Sequence, residues 1–285
     1  MSEDGLPPLR AVIAAHGLAA RKGLGQHFLL DLNLTRRIAR AADLASGAPV
    51  VEIGPGPGGL TRALLLEGAG HVLAIEKDAR CLSALGEIAA AYPGRLTVLE
   101  ADALAVDIPA ALSRAGQTTP AQLVANLPYN IATPLLVRWI KAEPWPPWWR
   151  ALTVMVQKEV ASRLCAEAGT SDYGRLTVLA AARACPRRLF DIGPQAFVPP
   201  PKVVSTVLRL EPRAEAPDAA TMAALERVTA AAFGQRRKML RTSLKGAFPA
   251  PEGVLESLGL KSDARAETLT PADFLALARR LGASS

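Results

Sequence analysis

Asn126-Leu127-Pro128-Tyr129-Asn130 is the stretch of this chain with the most chemistry in it. The exocyclic amine of adenine is a poor nucleophile, because its lone pair is delocalised into the ring. Two acceptors that hold both amine hydrogens favour a pyramidal nitrogen. The side-chain carbonyl of Asn126 and the backbone carbonyl of Leu127 could be those acceptors, aiming the nitrogen at an electrophilic methyl. Pro128 cannot donate a hydrogen bond and fixes its own φ, so it stiffens the loop that presents the oxygens, and Tyr129 could stack on the base. No strong general base is required, since the nitrogen becomes cationic during attack and loses its proton afterwards. Catalysis would be positioning and electrostatic preorganisation in a direct in-line transfer. The same residues also suit a plain turn with an Asx hydrogen bond and an aromatic cover.

A second cluster lies upstream. Val50-Val51-Glu52-Ile53-Gly54-Pro55-Gly56-Pro57-Gly58-Gly59 places a glycine loop after an apolar run, where bare backbone can approach a nucleotide closely. Gly54, Gly56 and Gly59 satisfy the G-x-G-x-x-G spacing of dinucleotide binders, a weak signal alone. Glu76 lies 22 positions after Gly54, where a carboxylate accepts from both ribose hydroxyls of NAD or of S-adenosylmethionine. Two acids tilt the choice to S-adenosylmethionine. Asp102 follows the third apolar run and can accept from an adenine amino group, and Glu52 adds negative charge near a sulfonium but would repel a pyrophosphate. Glu52 could equally be a helix N-terminal carboxylate, and Asp102 a helix cap.

The elements that must position these groups follow from the hydropathy pattern. Short β-branched runs at 50–53, 71–75, 96–99, 122–125, 151–156 and 203–210 alternate with alanine- and leucine-rich segments, which predicts a doubly wound α/β sheet. Leu60 to Glu67 is apolar at helical spacing and is closed by Gly68 and Gly70, completing a βαβ unit. Beyond Leu210 the strand pattern stops. Pro212 and Pro217 mark a linker, and the remainder reads as helical, with helices at 221–233, 251–258 and 271–281 and a basic segment from Gln235 to Lys245. The expected organisation is an N-terminal arm (1–20), a Rossmann-like class I methyltransferase domain (21–212) and a small all-α domain (213–285).

Composition sets the outer bounds. A 285-residue chain with 50% hydrophobic residues can bury a sizeable core, which argues against global disorder. Lys and Arg outnumber Asp and Glu by 33 to 26, which favours an acidic partner such as nucleic acid or an anionic surface. Cys81, Cys165 and Cys185 are far apart and lack metal-ligand spacing, so they read as reduced thiols of a cytoplasmic protein with no metal site. No run reaches the roughly 18 apolar residues of a membrane span. No heptad pattern argues against a monomer.

Seven stretches, in order, resemble the bacterial small-subunit ribosomal RNA adenine dimethyltransferases: 25–29 (GQHFL), Glu52 to Gly56, Asn126 to Asn130, 157–160 (QKEV), 173–176 (YGRL), 197–203 (FVPPPKV) and 235–238 (QRRK). The resemblance implies N6,N6-dimethylation of two adjacent adenosines in a loop near the 3′ end of small-subunit RNA. It implies S-adenosyl-L-methionine as donor, released as S-adenosylhomocysteine, and a role in late assembly, with RNA inside an immature small subunit as partner. It also implies that His27 and Leu29 close over the cofactor beside Gly54, Gly56, Glu76, Asp102 and Asn126, and that Phe197 stacks on the base opposite Tyr129. Position 27 is often Asn in the family; His there would make cofactor binding slightly pH-sensitive.

A base in such a pocket must leave its stack, so a single-stranded or loop adenine is expected. Arg236, Arg237, Lys238, Arg241 and Lys245 form a run without an acid, suited to phosphate contacts or to a solvated helix face. Arg21 with Lys22 and Arg187 with Arg188 are weaker candidates, and 145–149 (WPPWW) is either presented to RNA or packed as a surface loop. Three other readings compete. A large-subunit RNA adenine methyltransferase is opposed by the 197–203 and 235–238 matches. A noncatalytic assembly or transcription factor would have a degraded loop or Asn126 motif. An NAD oxidoreductase would need a proton donor that is not evident.

Overall fold

The computed structural model describes residues 3–20, 23, 25–44 and 48–283. Its strands are β1 (Phe28–Leu29), β2 (Pro49–Ile53), β3 (His71–Glu76), β4 (Leu96–Glu100), β5 (Ala121–Asn126), β6 (Trp149–Gln157), β7 (Ala184–Ile192), β8 (Phe197–Val198) and β9 (Ser205–Pro212). Its helices are α1 (Leu9–Ala15), α2 (Leu32–Ala41), α3 (Gly59–Leu66), α4 (Leu82–Ala91), α5 (Ile108–Arg114), α6 (Ala132–Ile140), α7 (Lys158–Leu164), α8 (Arg175–Arg183), α9 (Ala219–Gly234), α10 (Leu240–Ser243), α11 (Pro251–Ser257) and α12 (Pro271–Gly282).

Seven strands form one sheet in the order β4-β3-β2-β5-β6-β9-β7, with β4 to β6 mutually parallel and β9 antiparallel to β6. Strands covered on both faces need continuous apolar sequence rather than alternation, and β3 is buried along its whole length while β2 is buried from Val50 to Ile53. The chain runs from β2 outward to β3 and β4, then crosses back to β5 on the other side of β2. That reversal leaves a crevice beyond the carboxyl ends of β2 and β5, where open α/β sheets bind ligands. Gly54 and Asn126 both stand there, because each ends or follows one of those two strands.

The chain divides into two compact units: 1–136, 147–158 and 187–211 form the first, and 137–146, 159–186 and 212–285 the second. A single boundary after residue 212 is therefore corrected. Residues 137–146 and 159–186 belong with the C-terminal helices, because the apolar faces of α8, α9 and α12 make one core around Val178, Leu225, Val228 and Leu277. Phe233 stacks on Phe274 at 5.3 Å within that core. Asp218 caps α9 by accepting from Thr221 N–H, and Thr270 with Asp273 forms a capping box at α12, so both helices begin where side-chain acceptors satisfy the first turn. The arm, residues 1–20, contributes buried Leu9, Val12 and Leu18 to the first unit.

Two elements lie outside the expected pattern, and of the two readings of the WPPWW segment the packed one is found. Strand β7 escaped the pattern because Pro186, Arg187 and Arg188 interrupt it; as the last strand of the sheet it can expose such residues. The two-residue pair β1 and β8 is too short for any periodicity. The WPPWW segment is packed: Trp149 is fully buried in β6, and in the second unit Trp145 donates its indole N–H to the Arg213 carbonyl at 2.9 Å beneath the Arg183 guanidinium.

Candidate active site

A cavity of about 210 Å³ opens at the switch point, lined by the loop after β2, the ends of β3 and β4, the 126–131 turn, and the segment before β1. His27, Leu29, Gly54, Gly56, Glu76, Asp102 and Asn126 all line it, as do Leu127 and Tyr129. The loop requires glycine for two separate reasons. Gly58 has φ +88, and a Cβ there would stand 2.1 Å from Ile88; a Cβ on Gly59 would meet Leu9 at 2.8 Å and the Leu29 carbonyl oxygen at 3.0 Å.

Three carboxylates stand at successive strand ends in different environments. Glu76 is 5% exposed; it accepts from Gly56 N–H at 2.9 Å and Asp78 N–H at 2.7 Å, so it braces the glycine loop with one oxygen on each. Burial nevertheless raises its pKa. Asp102 accepts from Lys77 Nζ at 2.8 Å, which lowers its pKa, and from Leu104 N–H at 2.9 Å in a local turn; it caps no helix, since the next one starts at Ile108 with Asp107 as its cap. Lys77 carries no sequence signal beyond following Glu76. It supplies a cation that is already paired with Asp102.

Glu52 corrects an expectation. It is 1% exposed and accepts from the Thr61 hydroxyl at 2.6 Å, and burial pushes its carboxyl up to about 8 despite that bond. Burial thus opposes the negative charge expected of it near a sulfonium, and its partner is the Thr61 side chain of α3.

Around Asn126 the geometry defines orientation. Its amide nitrogen donates to the His27 carbonyl at 3.1 Å, which turns Oδ1 into the acceptor presented elsewhere. The Leu127 N–H is engaged by the Met155 carbonyl at 3.2 Å, so β6 holds the turn in place. The Tyr129 hydroxyl is bonded to buried Ser205 at 2.6 Å, fixing the ring through β9. His27 Nδ1 donates to the Pro199 carbonyl at 2.8 Å; since a carbonyl only accepts, that nitrogen carries the proton. Phe197, expected to stack on the base opposite Tyr129, is not among the residues that line this cavity. It is 2% exposed in the main core, and the His27 ring lies within contact of both aromatics, 5.3 Å from Tyr129 and 6.5 Å from Phe197. The short β1–β8 pairing sets this order by opposing Leu29 to Phe197 and Phe28 to Val198.

In the second unit Arg236, Arg237 and Lys238 are exposed on the turn that follows α9, Arg241 on α10 and Lys245 on the next turn, so the run is not one helix face. Arg236 donates to the Thr170 carbonyl at 3.3 Å. Arg187 lies on β7; Arg188, also there, pairs with Asp191. Arg21 and Lys22 lie outside the described residues. Among the described residues no helix is long and apolar enough to cross a membrane, and no group of three His, Cys, Asp or Glu could hold a metal ion.

The family model for "Ribosomal RNA adenine dimethylase" matches residues 17–282. A curated relative from Azorhizobium caulinodans, "Ribosomal RNA small subunit methyltransferase A", is 58% identical over 279 residues, covering 98% of this chain and 94% of the relative. Among solved structures, a dimethyladenosine transferase from Plasmodium falciparum superposes with a TM-score of 0.73 at 27% identity over 88% of this chain and 96% of that one. The 23S rRNA methyltransferase ErmE superposes with a TM-score of 0.66 at 30% identity over 89% of this chain and 99% of that one.

Proposed function

Because the chain belongs to the ribosomal RNA adenine dimethylase family, we propose that it methylates N6 of two adjacent adenosines near the 3′ end of small-subunit rRNA, within an immature subunit, as a cytoplasmic monomer. It is an S-adenosylmethionine-dependent enzyme in this reading, and the observation that carries it is the placement of Asn126 and Leu127 at the donor cavity with the Asn126 amide oriented by His27. S-adenosylmethionine supplies an electrophilic methyl at its sulfonium and leaves as S-adenosylhomocysteine.

Glu76 accepts from the ribose hydroxyls while holding the glycine loop, Asp102 accepts from the adenine amino group, and Gly54 and Gly56 bring backbone against the donor. Leu29 and His27 form the cover. Asn126 Oδ1 and the Leu127 carbonyl accept the two hydrogens of the target amine and aim its lone pair at the methyl; the proton lost afterwards passes to water. Tyr129 stacks on the base, and His27, backed by Phe197, bounds the space beside it. Arg236, Arg237, Lys238 and Arg241 contact phosphates in the helical unit, for which 213–285 is the principal contributor.

A large-subunit target, as in the name of ErmE, is the second reading, favoured by the 0.66 superposition. Transfer of labelled methyl groups from S-adenosylmethionine to immature small subunits, followed by nucleoside analysis, separates the two. Dimethyladenosine at adjacent small-subunit positions is expected. Transfer only to large-subunit RNA would replace the reading, and tight subunit binding without transfer would make the chain an assembly factor.

A further inference from the structure

The N-terminal arm precedes most of what the family model matches, since that match begins at residue 17. Besides its ion pairs to Arg36 of α2 and Glu87 of α4, the arm is fastened to elements that build the donor cavity. Asp4 and Arg62 make a two-pronged ion pair, both bonds 2.7 Å, with side-chain exposures of 0% and 4%. Arg62 also donates to the Pro7 carbonyl at 2.7 Å, and it stands on α3, the helix that the glycine loop opens. At the far end of the arm, Arg80 donates to the Ala19 carbonyl and pairs with Asp78, whose N–H is one of the two braces on Glu76. Between these anchors Leu9 is 8% exposed, lines the donor cavity, and lies against Gly59 so closely that a Cβ there would overlap it. A second cavity, of about 180 Å³, is lined by Pro8 and Leu9 of the arm together with Leu29, Leu32 and Arg62.

A surface cover would not need a buried ion pair. Placing two charges out of water costs several kcal/mol unless the geometry is good, and losing one partner strands the other. The pair does fix one thing, the position of the α1 start against α3, and therefore of Leu9. We infer that the arm is a working part of the methyl-donor site: Leu9 forms its wall at the glycine-loop end, and the Asp4–Arg62 pair is the positioning device that holds Leu9 there. The inference rests on the donor reading given above. With Asp102 and Glu76 taking adenine and ribose, the glycine-loop end receives the methionine part of the donor, and its methylenes pack on Leu9.

The test is calorimetric binding of two ligands to the full-length protein and to Leu9→Ala and Asp4→Asn. S-adenosylhomocysteine carries the amino-acid part; methylthioadenosine keeps adenine, ribose and sulfur but lacks it. Both variants should bind S-adenosylhomocysteine roughly tenfold more weakly, about 1.4 kcal/mol, with methylthioadenosine changed less than twofold. Unchanged affinity for S-adenosylhomocysteine in both variants, or an equal loss for both ligands, would reduce the arm to a structural cover. A wild-type protein that binds neither ligand would strike the donor reading itself and take the inference with it. Melting temperature is followed in parallel, and because Leu9→Ala leaves the ion pair in place, it reports on the wall even where Asp4→Asn unfolds the arm.

Discussion

Replacing Glu52 by Gln tests whether this acid is neutral in the folded protein. Its carboxyl is pushed from an ordinary 4.5 up to about 8, chiefly by burial, with a smaller push from the charge of Glu76 and an opposing bond from Thr61. The raised value means that the folded state holds a proton that the unfolded chain releases. Below pH 4.5 both states are protonated and nothing is lost. From there to about pH 8 the native state loses ~1.4 kcal/mol per unit, a total of at most ~5 kcal/mol, of which ~3 kcal/mol is already lost at pH 7. Gln has the same shape and no charge to release, so it escapes the loss while keeping an acceptor for the Thr61 hydroxyl. Urea unfolding of both proteins at pH 5, 7 and 9 reads the difference, and other titrating groups, such as buried His71, cancel between them. The variant should match wild type within about 1 kcal/mol at pH 5 and exceed it by roughly 2–5 kcal/mol at pH 9. A gap that stays constant across this range, or one that favours wild type at pH 9, would refute the reasoning and restore Glu52 as an anion beside the sulfonium.

Asn126→Ala should cut single-turnover methyl transfer by about 100-fold or more while shifting S-adenosylhomocysteine affinity less than fivefold; equal losses would make Asn126 chiefly a donor residue. Tyr129→Phe keeps the ring and loses the Ser205 bond, so kcat/KM should stay within about fivefold of wild type, whereas Tyr129→Ala should lose roughly 50-fold from stacking and misplacement of the base. Asp102→Ala should weaken S-adenosylhomocysteine about tenfold by calorimetry, and no change would take Asp102 off the adenine. Replacing Arg236 and Arg237 together by Ala should reduce the slope of log affinity for subunit RNA against log salt by about 1.5. An unchanged slope would remove this turn from the RNA surface.

What could be read from the sequence was whatever lies within a few residues of a strand end. Parallel strands carry continuous apolar runs, so β2 to β6 and the points where they stop were visible to within two residues, and with them Gly54, Glu76, Asp102 and Asn126. Features that depend on packing across distant segments were not. The burial of Glu52 under the start of α3 is such a feature: burial raises its pKa, against the opposing bond from the Thr61 hydroxyl. Leu9 and Asp4 looked like an undistinguished arm, since an ion pair across 58 positions leaves no spacing to read.

The aromatic side of the site shows the same limit in a form that bears on mechanism. Strand β1 pairs with β8 over two residues, and the His27 ring that precedes it stands 5.3 Å from Tyr129 and 6.5 Å from Phe197. Residue 27 is held at two points: its imidazole Nδ1–H is donated to the Pro199 carbonyl, and its own backbone carbonyl receives the Asn126 amide. In the proposed reading, His27 therefore links the wall beside the base to the orientation of the acceptor that aims the amine. An Asn at this position would keep the backbone bond to Asn126, because that bond uses no side-chain atom of residue 27, but would lose the ring. Substitution at 27 should accordingly alter the fit of the base far more than the direction of Asn126 Oδ1, which places the two functions of one residue on separable atoms.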